Sequence, residues 1–252
     1  MESPGTELQT SLTWLKRRGF DARYAANKEA ARQTIIDIIP HDWIVGVGDS
    51  ATIRSLDVIQ ALSDRGHRVL NPFVLPKILR DDPGPTPFRV TKQTAQGCDV
   101  FLASSNAVTM DGKLVNIDGG GMRVTGMAFG SMISIVVAGR NKIVKNAEEA
   151  IYRIKNVLAP AHGRTVGAGW GIPCVETGKC IEPEVFCEAG ISRMCNILMI
   201  LEAQPNMRDT KMVVILVDED LGLGWDPSWP QERIDKIYAE YKRFTPPHRK
   251  VK

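Results

Sequence analysis

The chain is 252 residues long, 43% hydrophobic and 24% charged, a balance that fits a folded globular protein and excludes a wholly disordered one. Its formal charge of +3 is small, and Lys242, Arg243, His248, Arg249, Lys250 and Lys252 crowd around Pro246 and Pro247 as a solvated basic tail, which argues against a nucleic-acid binder. No segment has the apolar length of a membrane span, and Met1 to Gly5 lack the basic-then-apolar order of a secretion signal, so the expected location is cytoplasmic.

In chain order, apolar residues between Leu8 and Leu15 recur at helical spacing and stop at Lys16, Arg17, Arg18 and Gly19, a basic last turn with a glycine after it. A short strand is expected at 20–24. Asn27 is a candidate N-cap for a helix over 28–39, which Pro40 ends. Residues 43–48 read as an apolar strand turning through 49–52 into an amphipathic helix that carries Ile53, Leu56, Ile59 and Leu62. A strand at 68–70 precedes a proline-rich loop over 72–87, with a helical turn at 77–79. Strands follow at 99–103, 113–117 and 132–139, with helices at 122–129 and 147–158. From 159 to 196 the pattern breaks at Pro160, Gly163, Gly167, Gly169, Gly171, Pro173, Gly178, Pro183 and Gly190, an irregular excursion too long to be an unsupported loop. Strands return at 197–201 and 211–217. The last helix spans 230–241, with Trp225, Trp229 and Tyr238 read as packing it rather than closing a pocket.

This alternation predicts an α/β fold, an open, mostly parallel sheet flanked by helices. Such sheets bind ligands at the carboxyl ends of their strands, where the loops 48–52, 104–111 and 139–142 would share one rim. Between its strand and its helix, the loop with Gly48, Ser50 and Thr52 can hold a phosphate or carboxylate. It is not a P-loop, because no lysine-serine or lysine-threonine pair follows the glycines. Asn106, Thr109, Asn116 and Asp118 carry more hydrogen-bonding capacity than a connection needs. Asp111, beside Gly112, is the leading acid–base candidate, provided its surroundings raise its pKa. Lys142 can neutralise a carboxylate, phosphate or enolate with Asn141 fixing its position, and the fork of Arg123 suits a carboxylate.

Of five cysteines, Cys98 stands alone, whereas Cys174, Cys180, Cys187 and Cys195 have five, six and seven residues between successive members. Four thiolates can bind zinc or an iron–sulfur centre, and this spacing matches neither a close CxxC pair nor a ferredoxin run, so structural or reactive thiols stay open as well. Among the histidines, His41 and His67 read as structural or exposed. His162, inside the excursion, is a further candidate for proton transfer or ligand binding.

The loop from Val45 to Thr52, the turn from Ser105 to Gly112, the run from Leu114 to Gly119 and the segment from Val137 to Val144 together resemble the lactate-utilisation (LUD) domain family, also called the LutC/YkgG family. The run Glu219 to Gly222 resembles the family's closing segment. This resemblance implies one LUD-like domain over 1–252, of the fold shared by ribose-5-phosphate isomerase, glucosamine-6-phosphate deaminase and CoA transferases (NagB/RpiA/CoA transferase-like). Two departures stand out: where the family commonly has an asparagine-arginine pair, Met122 precedes Arg123, and Ser131 replaces the usual proline after Gly130. Stand-alone members resemble the cysteine segment at Pro173-Cys174, Gly178-Lys179-Cys180 and Arg193-Met194-Cys195-Asn196, with Cys187 displaced.

Two functions are therefore carried forward. In the first, a small anionic metabolite, either a hydroxy acid or a phosphorylated sugar, is isomerised or cleaved by Asp111 and Lys142; no dinucleotide fingerprint supports dehydrogenation. In the second, the chain is a noncatalytic or metal-associated partner in lactate or other organic-acid oxidation, using the cysteine excursion to bind a metal or a redox protein; assembly into a homo-oligomer is a separate expectation.

Overall fold

The computed structural model describes residues 5–71, 97–166, 171–206 and 209–245. The expected loop at 72–87 with its turn at 77–79, and the tail beyond Thr245, lie outside them. Strands β1 (Asp21–Ala25), β2 (Val45–Val47), β3 (Val69–Leu70), β4 (Val100–Ala103), β7 (Ile133–Gly139) and β10 (Lys211–Val217) form a sheet in the order β1-β10-β7-β4-β2-β3, every pairing parallel. The inner strands β2, β4, β7 and β10 are largely apolar on both faces because both faces are covered. Val45, Val47, Val100, Leu102, Ile135, Val137, Val213 and Ile215 pack towards α2 (Lys28–Ile38), α3 (Ala51–Ser55) and α4 (Val58–Asp64). The alternate residues Phe101, Ala103, Val136, Ala138, Val214 and Leu216 meet α1 (Thr6–Arg17) and α5 (Met122–Ala128). A period of two thus sorts one run of residues into two cores.

Local signals set several boundaries. Asn27 Oδ1 accepts the Ala30 N–H at 2.8 Å and starts α2, and Pro40 follows its end. The expected helix after Thr52 is instead two, because Asp57 adopts φ +52° between α3 and α4.

Two larger departures affect the site. A second sheet, ordered β8-β5-β6-β9, stands beside the first and contains β5 (Ala107–Thr109), β6 (Leu114–Asp118), β8 (Ile143–Val144) and β9 (Ile197–Leu201). Within residues 104–111, read as a polar rim, 107–109 are thus a buried strand of a hairpin. One face of that hairpin, Val108 and Leu114, joins the core under α1. The other, Ala107, Val115 and Ile117, packs on a long helical segment. That segment is α6 (Ala147–Arg153), a π-helical stretch (Ile154–Leu158) and α7 (Ala159–Val166). The irregular excursion therefore begins later than Pro160 suggests. A proline lacks an N–H and its ring crowds the carbonyl one turn earlier; the widened π turn before Pro160 accommodates both. Beyond it come α8 (Pro173–Thr177) and, at the end, α9 (Gln231–Arg243). Trp225 meets Tyr238 edge-on and Arg233 stacks on Trp229, so these rings pack around α9. Among the described residues no helix is long and apolar enough to cross a membrane.

Candidate functional site

The neighbouring strands β10, β7, β4 and β2 all point the same way, so the loops that follow them meet at one edge. Lys142 comes from the loop after β7. Its Nζ donates to Thr52 Oγ1 at 2.9 Å, Ser104 Oγ at 2.7 Å and the Ser105 carbonyl at 3.2 Å. The side chain is 5% exposed, and among the described residues no carboxylate pairs with it. Burial, and then the charge of Arg123, push its pKa down to about 7.

Arg123, at the start of α5, is the second cation. It donates to Asn106 Oδ1 at 2.9 Å, the Ile117 carbonyl at 2.8 Å and the Ser104 carbonyl at 3.5 Å, and its Nε lies 3.7 Å from Asp118 Oδ2. Burial lowers its pKa, with Asp118 acting against the shift. Asn106 and Asn116 brace this corner: the Asn106 N–H donates to Asn116 Oδ1, and Asn106 Oδ1 also accepts the Ile117 N–H. Asn116 is fully buried, and its Nδ2 has no partner among the described residues. Such an orphaned donor is uncommon in a folded interior and marks a place where a polar partner is missing.

The loop after β10 roofs the centre. The Asn141 side chain accepts the Leu221 N–H at 2.9 Å and donates to the carbonyls of Gly222 at 3.3 Å and Gly224 at 2.9 Å. Asn141 therefore clamps the roof. Gly222, at φ +69°, lies so close that an added Cβ would stand 2.2 Å from Thr52 Oγ1 and 3.2 Å from Lys142 Nζ.

Of the remaining candidates, Ser50 caps α3 by accepting the Ile53 N–H. Gly48 backs onto the Phe101 ring, 3.1 Å from where a Cβ would be. Asp118 Oδ1 accepts from Gly120 and Gly121 at the head of α5. Thr109 is fully buried and serves the hairpin turn, donating to Asp111 and accepting from the Lys113 N–H.

Asp111 is not brought to this centre. It sits at the hairpin's turn, at the opposite end from Asn106 and Asn116, 3.1 Å from Arg18 and 3.6 Å from Lys113. Burial pushes its pKa up, but Thr109, Lys113 and Arg18 outweigh that and hold it below the usual carboxylate value, the reverse of what a base requires. His162 is also elsewhere, sharing a 2.5 Å hydrogen bond with the Tyr241 hydroxyl. Burial pushes that phenol up to about 12. The participants that sequence reasoning did not single out are Ser104, Ser105 and Gly222. Ser104 and Ser105 directly follow an apolar strand and Gly222 lies between two leucines, signals that mark a strand end and a close approach but not a partner.

The cysteines form a separate feature. Cys174, Cys180, Cys187 and Cys195 all line one concavity beside Lys155 and Arg193, and all four thiols are free. Among the described residues, no three of the His, Cys, Asp or Glu side chains are grouped to hold a metal ion. Cys98 is buried in the core, where desolvation pushes its thiol up to about 11.

The LUD domain matches residues 9–217 of this chain, from α1 through β10. The chain belongs to the LUD domain family. Its match takes in Thr52, Ser104, Arg123 and Lys142, while the roof glycine Gly222 lies outside it. No curated protein sequence matches the chain. Among solved structures, a DUF162 family protein from Deinococcus radiodurans is similar at 12% identity and a TM-score of 0.48, over 86% of this chain and 99% of that one. Ribose 5-phosphate isomerase A from Neisseria gonorrhoeae is similar at 18% identity and a TM-score of 0.29, over 48% of this chain and 54% of its own.

Proposed function

We propose that this LUD domain binds a small anionic metabolite at the carboxyl edge of its large sheet and moves a proton on it. The substrate class is a hydroxy acid or a phosphorylated sugar, and the reaction an isomerisation or elimination. One observation carries this reading: Lys142, 5% exposed, and Arg123, 15% exposed, sit at one corner where, among the described residues, Asp118 is the carboxylate ion-paired with either. An unpaired buried charge costs several kcal/mol, and a bound anion offsets that cost. The unpartnered Asn116 Nδ2 supplies a further donor beside the same corner.

The roles follow from the two side chains. Arg123 presents a planar fork suited to a carboxylate or phosphate. Lys142, with a pKa near 7, is close to half neutral at physiological pH and is matched to proton transfer. Its neutral amine takes a proton from the carbon beside a carbonyl. The C–H bond breaks, the N–H bond forms, and the electron pair moves onto the carbonyl oxygen as an enolate that the new ammonium stabilises. Returning the proton to a neighbouring position completes an isomerisation, whereas expelling a leaving group completes an elimination. Asp111 has no part in this scheme.

Deuterium exchange tests it. Lactate, glycerate and ribose 5-phosphate are incubated separately with the protein in heavy water, and loss of the carbon-bound proton is followed by NMR. Exchange of at least one is expected, with a rate that rises through pH 7 as the amine deprotonates. Lys142→Met should cut the rate by about 100-fold or more, the usual scale for losing a general base, whereas Asp111→Asn should leave it unchanged. An unaffected Lys142→Met variant, or no exchange of any of the three by folded protein, would overturn the proposal.

A further inference from the structure

Independently of the Lys142 centre, the geometry points to an iron–sulfur cluster held by Cys174, Cys180, Cys187 and Cys195. The four come from separate stretches of irregular backbone: Cys174 from α8, Cys180 just past the left-handed Gly178 (φ +77°), Cys187 from the loop beyond, and Cys195 from the approach to β9. Nothing in their spacing obliges them to meet, yet all four line one concavity.

The folding around them supports that meeting. Gly163 of α7 leaves no room for a side chain, since a Cβ there would stand 2.5 Å from Val175 and 3.1 Å from Met194, so α8 and the segment that carries Cys195 pack directly on α7. The π-helical stretch contributes as well: Asn156 Oδ1 accepts the Cys180 N–H at 3.1 Å, and Lys155 reaches Glu182 at 3.0 Å. Insertions of this kind inside helices recur at functional sites. On the far side, Asn196, next to Cys195, is tied to the Asp118 and Gly119 carbonyls at 3.1 and 3.0 Å.

Size separates a cluster from a single ion, and the charge of the wall suits an anionic occupant. Thiolates sharing one zinc ion lie about 4 Å from one another, because each Zn–S bond is only ~2.3 Å long. Among the described residues no three ligating side chains are grouped to hold a single ion, yet all four cysteines line the same concavity. A four-iron, four-sulfide cluster places an inorganic core between its thiolates and so spans a wider ring of four cysteines. Such a cluster is anionic. Lys155 and Arg193 line the concavity, sharing the single carboxylate Glu182 at 3.0 and 2.7 Å, which leaves one positive charge in excess. Ile172, Ile181 and Met194 supply the apolar remainder of the wall, which shields a cluster from water.

The test is to purify the full chain without oxygen, measure iron, acid-labile sulfide and zinc per chain, and record visible absorption and electron paramagnetic resonance after dithionite reduction. About four irons and four sulfides per chain are expected, either as isolated or after incubating the reduced apoprotein with ferrous iron and sulfide. Cys174→Ser and Cys195→Ser should each lose most of the iron while keeping the far-UV circular dichroism of the parent. Cys98→Ala, a core change away from the concavity, should keep it. Stoichiometric zinc without sulfide, disulfides that persist in reductant, or folded protein that takes up no cluster in either preparation would overturn the inference.

Discussion

Lys142 makes the stability of the fold depend on pH. Its pKa is lowered in the fold, from an ordinary 10.5 to about 7, so the cost of burying its charge is fully present below pH 7, shrinks as pH rises, and is gone above about 10.5. Replacing it by methionine, which fills similar space without charge, should therefore stabilise the protein by on the order of 2–4 kcal/mol at pH 6 and by much less at pH 9. Urea unfolding at the two pH values reads this directly; equal gains at both would mean the lysine is not buried as a charge. The residue types at this centre were legible in the chain as polar groups after apolar strands. That Lys142 sits at this centre and Asp111 does not was not legible, because it rests on neighbours 90 or more positions away, Thr52 for one and Arg18 for the other.

At the scale of elements, the roof loop is held by side chains from elsewhere in the fold, Asn141, Arg140 and Arg233 among them. Asn141 makes three hydrogen bonds to it, so Asn141→Ala should cost about 2–4 kcal/mol from buried amides and carbonyls left unpaired. Gly222→Ala acts differently. The new methyl group would collide with Thr52 and meet a strained φ, so the loop is pushed off the Lys142 centre. A loss of anion affinity of about tenfold or more is expected, set by a cost of at least ~1.4 kcal/mol, and titration with ribose 5-phosphate or lactate measures it. Unchanged affinity would show that the loop does not cover the binding position. The helix running past Pro160 belongs to this scale too. A proline normally announces an end, and only the wider π turn ahead of it, invisible in residue types, lets the helix continue.

At the scale of the whole molecule, stability is concentrated in the middle of the large sheet, where Ile135 to Ala138 of β7 and Val213 to Val217 of β10 are fully buried. Amide hydrogen exchange should be slowest there, and at least tenfold faster in β9, an edge strand with Ile197 and Leu198 exposed. Comparable rates in β9 and β10 would mean that β9 is covered in solution. By itself the sequence determined the layered α/β plan, helix caps such as Asn27 and the run of polar loops that follow apolar strands at one sheet edge. Those follow from alternating polarity and local backbone preferences, which act over a few residues. Tertiary structure alone decided that residues 107–118 and 197–201 form a second sheet, that Asp111 faces away from Lys142, and that four unevenly spaced cysteines share one concavity. Each depends on contacts between segments distant in the chain, where a side chain's role is set by what packs against it rather than by its immediate sequence neighbours.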